Sequence, residues 1–552
     1  MKIGKIVTNA FATTVAMLLA GCATMPNPKP MLDLKITNGR IVDGTGAPWF
    51  RGDVGIEGDT IVAIGDLHDT PAETTIDAHD LLVSPGFIDL LGWSYENSFD
   101  DPQVEAKLRQ GVTTEVGGEG TSPAPQRADK VTPKAPWKTL GDFLDALDHH
   151  PAAINFAMLV GASNPREMVI GDVNRAPTMD EMHAMEAIVE QAMRDGAIGI
   201  STSLIYLPAM YSTTDEIINL AKVAAKYGGV YFTHMRDEGD HIDSAMDEAF
   251  RIGREAHIPV NIWHLKIGGR ANWGKMPHVL ERIETARAEG IDVAANVYPY
   301  AASGTGLSTL VPDWALEGGY AELRKRLGDP DARAKIAEAL RAQVAKRGER
   351  GIYITQVYNK DDERYTKKYV PEIAAAMNVA PEEAIMKLFE TNPASPRVIF
   401  FSMSEDDVRT ALKQSWVSVG SDGSSPSPAI RAAGTAVHPR SYGTFARVAG
   451  HYVRDEHLFT IEEAVRKMTS QAAIRANLTD RGVLRPGMKA DIIVFDPNTI
   501  ADVATFEDPH HMSVGVADVV VNGKLEMRDG NVNGVYAGKV IRGKGHRGRK
   551  AE

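Results

Sequence analysis

Residues 229–236 read "GVYFTHMR" and residues 259–266 read "PVNIWHLK". Each is a short run of β-branched and aromatic residues that ends on a histidine, His234 in one and His264 in the other. Such runs are strand signals, and they belong to a longer series. Before them come "LLVSPGFID" (81–89), "VTTEV" (112–116), "INFAMLV" (154–160) and "AIGIST" (197–202). After them come "DVAANVYPY" (292–300) and "WVSVGSD" (416–422). Amphipathic stretches such as 179–194 and 214–227 fit between most of the runs, and strands alternating with helices signal parallel βα units. Eight such units predict an α/β fold of the (β/α)8 barrel type, with its chemistry at the C-terminal ends of the strands.

Flanking this alternation is a different grammar. "LKITNGRIVDGTG" and "DVGIEGDTIVAIG" near one end, and "GVLRPGMKADIIVFD" and "VGVADVVVNGKLEMRDG" near the other, read as antiparallel strands broken by turns. Residues 32–82 and 482–538 are expected to combine into one small β-sandwich, leaving 83–481 for the barrel. More than a single crossover lies between the seventh and eighth runs. An inserted subdomain is therefore expected at about 304–397, placed over the barrel mouth as a lid. The tail, 539–552, is rich in Lys, Arg and Gly and reads as a solvated terminus.

Lys2 and Lys5 precede an apolar stretch and small residues, the pattern of a secretory signal over 1–21. Cys22, the sole cysteine, follows Leu19-Ala20-Gly21. That placement resembles a bacterial lipobox, which implies a lipid-anchored envelope protein, with the outer membrane facing the periplasm favoured and residues 22–31 as a tether. A formal net charge of −13 offers no broad basic surface for nucleic acid.

His234 and His264 close adjacent barrel strands, so both imidazoles point at one small volume suited to zinc or a similar ion. Asp422, in "GSDG" at the end of the eighth strand, adds a carboxylate there. Together with "NGRIVDGTG", "PGFID", "GVTTE", "THMRDEG", "WHLKIGGRANWGK", "YPYAASGTGL", "HPRSYGTFAR" and "RGVLRPGMKADIIVFD", these residues resemble the N-acyl-D-amino-acid deacylase branch of the amidohydrolase superfamily. The likeness runs from about Leu32 to about Gly530. It implies a metal-activated water attacking an acyl-amide carbon, with His234 and His264 as ligands and Asp422 as the proton shuttle. It also implies that Lys266 and Arg440 bind the substrate's α-carboxylate, and that Tyr298 and Ser303 hold the acyl group.

Two departures stand out. Where the superfamily carries His-x-His after "PGFID", this chain has Leu91 and Trp93, neither a metal ligand. Where the deacylases carry a cysteine ligand, the loop reads Glu115-Val116-Gly117-Gly118-Glu119-Gly120. Glu119, flanked by glycines, is the expected third ligand, with Glu115 second. One divalent ion is expected, zinc being the favoured identity. Two other readings stay open: a hydantoinase-like cyclic-amide hydrolase, against which the lysine-free fourth run counts, and a non-enzymatic binding protein on a degenerate barrel.

Overall fold

The computed structural model describes residues 31–547; the expected signal segment, Cys22 and most of the tether lie outside them. The eight barrel strands are Phe87–Asp89, Val112–Gly117, Asn155–Met158, Gly199–Ser203, Val230–His234, Val260–Ile262, Val293–Val297 and Val417–Val419. Each pairs in parallel with the next; the third reaches the fourth through its continuation Val160–Gly161. A parallel bridge between Gly92 and Gly423 joins first to eighth and closes the ring.

Period-two burial explains the barrel interior. In the fifth strand Val230 and Phe232 face inward beneath His234, and they cluster with Ile88, Val116, Ala157, Ile198 and Trp263. Trp263 is fully buried and spans the floor, its indole Nε1 donating to the Leu90 carbonyl at 2.9 Å. The alternate residues, such as Tyr231, Ile262 and Val293, pack outward against the helices. The helices Met179–Asp195 and Thr214–Lys226 begin at Thr178 and Thr213, whose hydroxyls accept from the backbone N–H groups of Glu181 and Glu216.

Strands from Leu32–Ile41 through Leu82–Pro85 meet those from Ile492–Phe495 through Asn531–Val532 in one nine-stranded sheet. The expected sandwich takes the form of this single hydrogen-bonded path, in which Gly487 donates to the carbonyl of Ile61 on the far edge strand and Ile61 donates back to that of Met488. Leu34, Ile36, Val54, Ile61, Ile492 and Val494 share its core. Leu82–Pro85 belongs to this sheet, between Leu32–Ile41 and Ile492–Phe495, so the barrel begins at Phe87 rather than at 83. The break falls at Gly86, where a Cβ would lie 2.2 Å from the Thr113 hydroxyl. The inserted subdomain has its own core and a four-stranded antiparallel sheet built from Ser303–Gly306, Ile352–Gln356, Lys368–Tyr369 and Arg397–Phe400.

Residues 539–547, the described part of the tail, correct the reading of 539–552 as a solvated terminus. Val540–Ile541 forms a strand parallel to the third barrel strand, pairing with Phe156 and Ala157. Gly543 donates to the Gly196 carbonyl, and Arg542 reaches the Asp195 carbonyl and the Asp145 carboxylate. The segment thus fills the gap where the third and fourth strands diverge at the barrel base. Two paired residues inside a Gly- and Lys-rich run leave no alternation to read. Among the described residues, no helix is long and apolar enough to cross a membrane.

Candidate metal centre and active site

His234 ends the fifth strand and His264 lies two residues past the sixth, which brings their rings to a centroid separation of 4.4 Å. Glu119 reaches them from the loop after the second strand. Gly118 and Gly120 beside it have φ of +92° and +66°. A Cβ on Gly118 would meet the Leu159 carbonyl at 2.4 Å, so the loop can press against the third strand only as glycine. Glu119 Oε1 lies 3.0 Å from His234 Nδ1 and 3.1 Å from His264 Nε2.

One donor atom from each of these three buried residues lies within 4.8 Å of the other two. Zinc binds nitrogen and oxygen ligands at about 2.0–2.2 Å, so tetrahedral ligand atoms sit about 3.4 Å apart. The donor set and its spacing therefore fit a small divalent ion. Glu115, the second candidate, is directed elsewhere: it accepts from the Ser94 N–H at 2.7 Å and faces Lys107 at 3.2 Å.

Glu238 was missed by the sequence reading. Its carboxylate sits behind both imidazoles, 3.0 Å from His264 Nδ1 and 3.5 Å from His234 Nε2, and accepts from Lys266 Nζ at 2.6 Å. A carboxylate on the far nitrogen of a ligating histidine orients the ring. Its one sequence signal is its place four residues after His234, within a charged run that reads as a solvated loop.

Burial pushes the Glu119 carboxyl up, but hydrogen bonds from His234 and His264 outweigh it and hold the group well below the usual range. Glu238 is depressed likewise: the charges of His234, Lys266 and His264 overcome its burial. Burial and Lys266 push the His264 imidazole down, yet Glu238 and Glu119 raise it to about 9. The pocket is therefore strongly cation-seeking.

Asp422 follows the eighth strand with φ of +49°, and His264 has φ of +37°. Both left-handed conformations are held from outside, by Asp422 N–H donating to the Leu91 carbonyl at 2.7 Å and His264 N–H to Asn296 Oδ1 at 2.6 Å. Burial raises the Asp422 carboxyl despite the opposing charge of Arg440; Glu119, His264 and Lys266 also act on it across the shared cavity. Arg440 Nη1 forms an ion pair with Oδ2 at 2.8 Å, though its angle falls short of a hydrogen bond. Trp93 Nε1 donates to Oδ1 at 3.2 Å.

Lys266 and Arg440 converge on Tyr298, their cationic groups 5.7 and 4.8 Å from its ring centroid. Tyr298 is buried, with its ring 6.2 Å from that of His264. Ser303 is half-buried at the start of the subdomain sheet, paired through its backbone with Phe400. No hydrogen bond joins its side chain to the others among the described residues. Its neighbours meet the site instead: the Gly304 carbonyl accepts from Arg440 Nη2 at 3.3 Å. Above the metal pocket, Tyr206 stands edge-on to His234 with its hydroxyl on Thr305 of the subdomain.

Comparison with known proteins agrees with this geometry. The amidohydrolase family model matches residues 74–525. The D-aminoacylase of Alcaligenes xylosoxydans xylosoxydans is 38% identical, over 92% of this chain and 97% of that one. A crystal structure of D-aminoacylase superposes with a TM-score of 0.80 at 37% identity, covering 93% of this chain and 100% of that one. The N-acyl-D-glutamate deacylase of Bordetella bronchiseptica, solved with zinc and a phosphonate mimic of the tetrahedral intermediate, gives 0.78 at 34% identity, with coverage of 93% and 100%. By sequence and by fold this chain belongs to the amidohydrolase family, in the branch of the D-aminoacylases.

Proposed function

We propose that the protein is a metal-dependent hydrolase of the amide bond in N-acyl-D-amino acids, working with one divalent ion, zinc by preference, held by Glu119, His234 and His264. The observation that carries this reading is the convergence of two cations, Lys266 and Arg440, on Tyr298 beside that three-ligand pocket. When bound, such an ion supplies a Lewis acid and lowers the pKa of water enough for attack near neutral pH.

The chain's own residues supply the rest. Asp422 takes the proton of the attacking water and passes it to the leaving nitrogen. Trp93 donates to one of its oxygens and orients it, while Arg440 pairs with the other until substrate arrives. Lys266 and Arg440 receive the α-carboxylate, each exchanging an internal carboxylate for that of the substrate, Glu238 in one case and Asp422 in the other. Entry of the carboxylate thus loosens Arg440 from Asp422 as the base is needed. Tyr298 walls the acyl side, and the D preference follows the named relatives. Neither alternative gains support. The fourth strand, Gly199–Ser203, carries no lysine to bridge two ions as in a hydantoinase-type site, and a degenerate barrel gives no reason for the site residues to converge.

Assay of the purified chain with added zinc against matched N-acyl-D- and N-acyl-L-amino acids and hydantoins tests the reading. Turnover confined to the D series is expected. Turnover of hydantoins alone, or of nothing, overturns it. We also propose export and lipid anchoring at Cys22, on the strength of the charged start, the apolar run and Leu19-Ala20-Gly21-Cys22. Radiolabelled fatty acid should mark the wild type and not Cys22→Ala, and an unlabelled wild type ends that idea.

A further inference from the structure

Below Asp422 lies a second charged cluster with no contact to the metal pocket's ligands. Lys107, on the short helix Glu105–Leu108, is fully buried, as are Asp89 at the end of the first strand and Glu115 in the second. Lys107 Nζ donates to Asp89 Oδ2 at 2.6 Å and lies 3.2 Å from Glu115. Its other partners are Ser421 Oγ and the Gly423 carbonyl, both at 2.8 Å. These two residues bracket Asp422. Asp89 adds to the hold, accepting the Ser421 N–H at 2.8 Å and its hydroxyl at 2.5 Å.

The backbone is shaped to admit this cluster. A Cβ on Gly92 would lie 2.1 Å from the Glu115 carboxyl carbon, so the acid reaches Lys107 because the first strand continues as glycine there. Burying a lysine with two carboxylates is costly and seldom the cheapest way to stabilise a core. What it achieves here is local: a left-handed residue, Asp422, is gripped on both sides by one ammonium group.

We propose that Lys107 is a positioning residue for the hydrolysis described above, clamping Ser421 and Gly423 so that the Asp422 carboxylate is held at its working angle. This rests on the proposed reading of Asp422 as the proton shuttle. Because Lys107 touches neither the handles Lys266 and Arg440 nor the three ligands, its loss acts on turnover and leaves substrate and metal affinity in place. A displacement of the base by about 1 Å costs on the order of 100-fold in rate.

The test compares the full chain with Lys107→Met/Glu115→Gln, which removes the ammonium and its second acid together, and with Ser421→Ala, which removes the hydroxyl's contacts with Lys107, Asp89 and the Gly423 N–H and leaves Lys107 on the Gly423 carbonyl. Zinc content, thermal midpoint, kcat and KM are measured on an N-acyl-D-amino acid that the wild type turns over. The expected result for the double variant is kcat down about 10- to 100-fold, with zinc per chain unchanged and KM within about threefold. Ser421→Ala should lower kcat severalfold with the same split. A folded, zinc-loaded double variant with wild-type kcat, or a rise in KM that accounts for the whole loss, overturns the proposal. Should the double variant yield no folded protein, Ser421→Ala decides alone, and wild-type kcat there overturns it. Absence of turnover in the wild type sinks the functional reading itself and this inference with it, which separates the two failures.

Discussion

The indole Nε1 of Trp93 donates to Oδ1 of Asp422 across 3.2 Å. Trp93 is one of the two positions at which the family resemblance leads one to expect a first-strand histidine, and here its indole supports the proposed base. Leu91 contributes its carbonyl, which accepts the Asp422 N–H. Trp93→Phe keeps an aromatic ring and loses the donor. A hydrogen bond to a charged group contributes about 1.5–3 kcal/mol, so kcat should fall at least about tenfold with zinc content unchanged. Zinc lost from this variant would instead place the first strand within the metal site.

Asp422→Asn keeps the shape of the base but cannot accept the water's proton. One positioned general base contributes about 100- to 10,000-fold in rate, and a loss of that size is expected with substrate still bound. A fall of only a few fold, with metal retained, assigns the proton transfer to another group.

Metal analysis should find about one tightly held ion per chain, the capacity of a single closed ligand set. His234→Ala and His264→Ala should each release it, and Glu119→Gln should weaken it sharply. Glu238→Gln should lower affinity by about 10- to 100-fold, as loss of a carboxylate behind a ligating imidazole does. Two tightly held ions, or full binding by Glu119→Gln, contradict this site.

Lys266→Ala and Arg440→Ala should differ although both meet Tyr298. Lys266 pairs with Glu238 and His264 and makes no hydrogen bond with Asp422, so its loss should act chiefly on KM. Arg440 also pairs with Asp422, so its loss should raise KM and lower kcat together. Steady-state kinetics on one substrate separates the two patterns, and identical behaviour would refute the division.

Stability should carry a pH signature from Lys467, whose ammonium is fully buried near the Gln414 and Val417 carbonyls. Burial pushes it down to about 8, only partly offset by Glu463. The unfolded chain holds this proton up to about pH 10.4, so between about 8 and 10 unfolding takes up a proton and rising pH favours the folded state. The thermal midpoint of the wild type should therefore gain on that of Lys467→Met across this window and stay parallel to it below. A constant difference from pH 7 to 10 excludes the effect.

The barrel was legible because parallel strands buried on both faces read as apolar runs, and His234, His264 and Asp422 because their runs end on them. Glu119 was legible through the glycines around it. Glu238 and Lys107 were not: each sits in a charged segment whose surface appearance is cancelled only by partners distant in sequence, such as Ser421 for Lys107. Trp93 gave no polar signal, since its polar atom is a single N–H whose acceptor follows the eighth strand, a neighbour of the first only because the ring closes. The division between Pro85 and Phe87 was hidden for a simpler reason. One uninterrupted apolar run serves two sheets, and the switch at Gly86 leaves no trace in hydropathy.

The docking of Val540–Ile541 against the third barrel strand makes completion of this fold a question of timing. Synthesis proceeds from the amino end, so every residue of the proposed site exists before the segment that seals the barrel base does. Until residues 539–543 emerge, Phe156 and Gly196 lack the backbone partners they have in the finished molecule. The nine-stranded sheet likewise waits for Ile492–Phe495 and the strands that follow. Native closure is therefore postponed until residues 539–543 have been made, and a chain cut after Ala537 should possess all its chemistry and still lack these hydrogen bonds of its base.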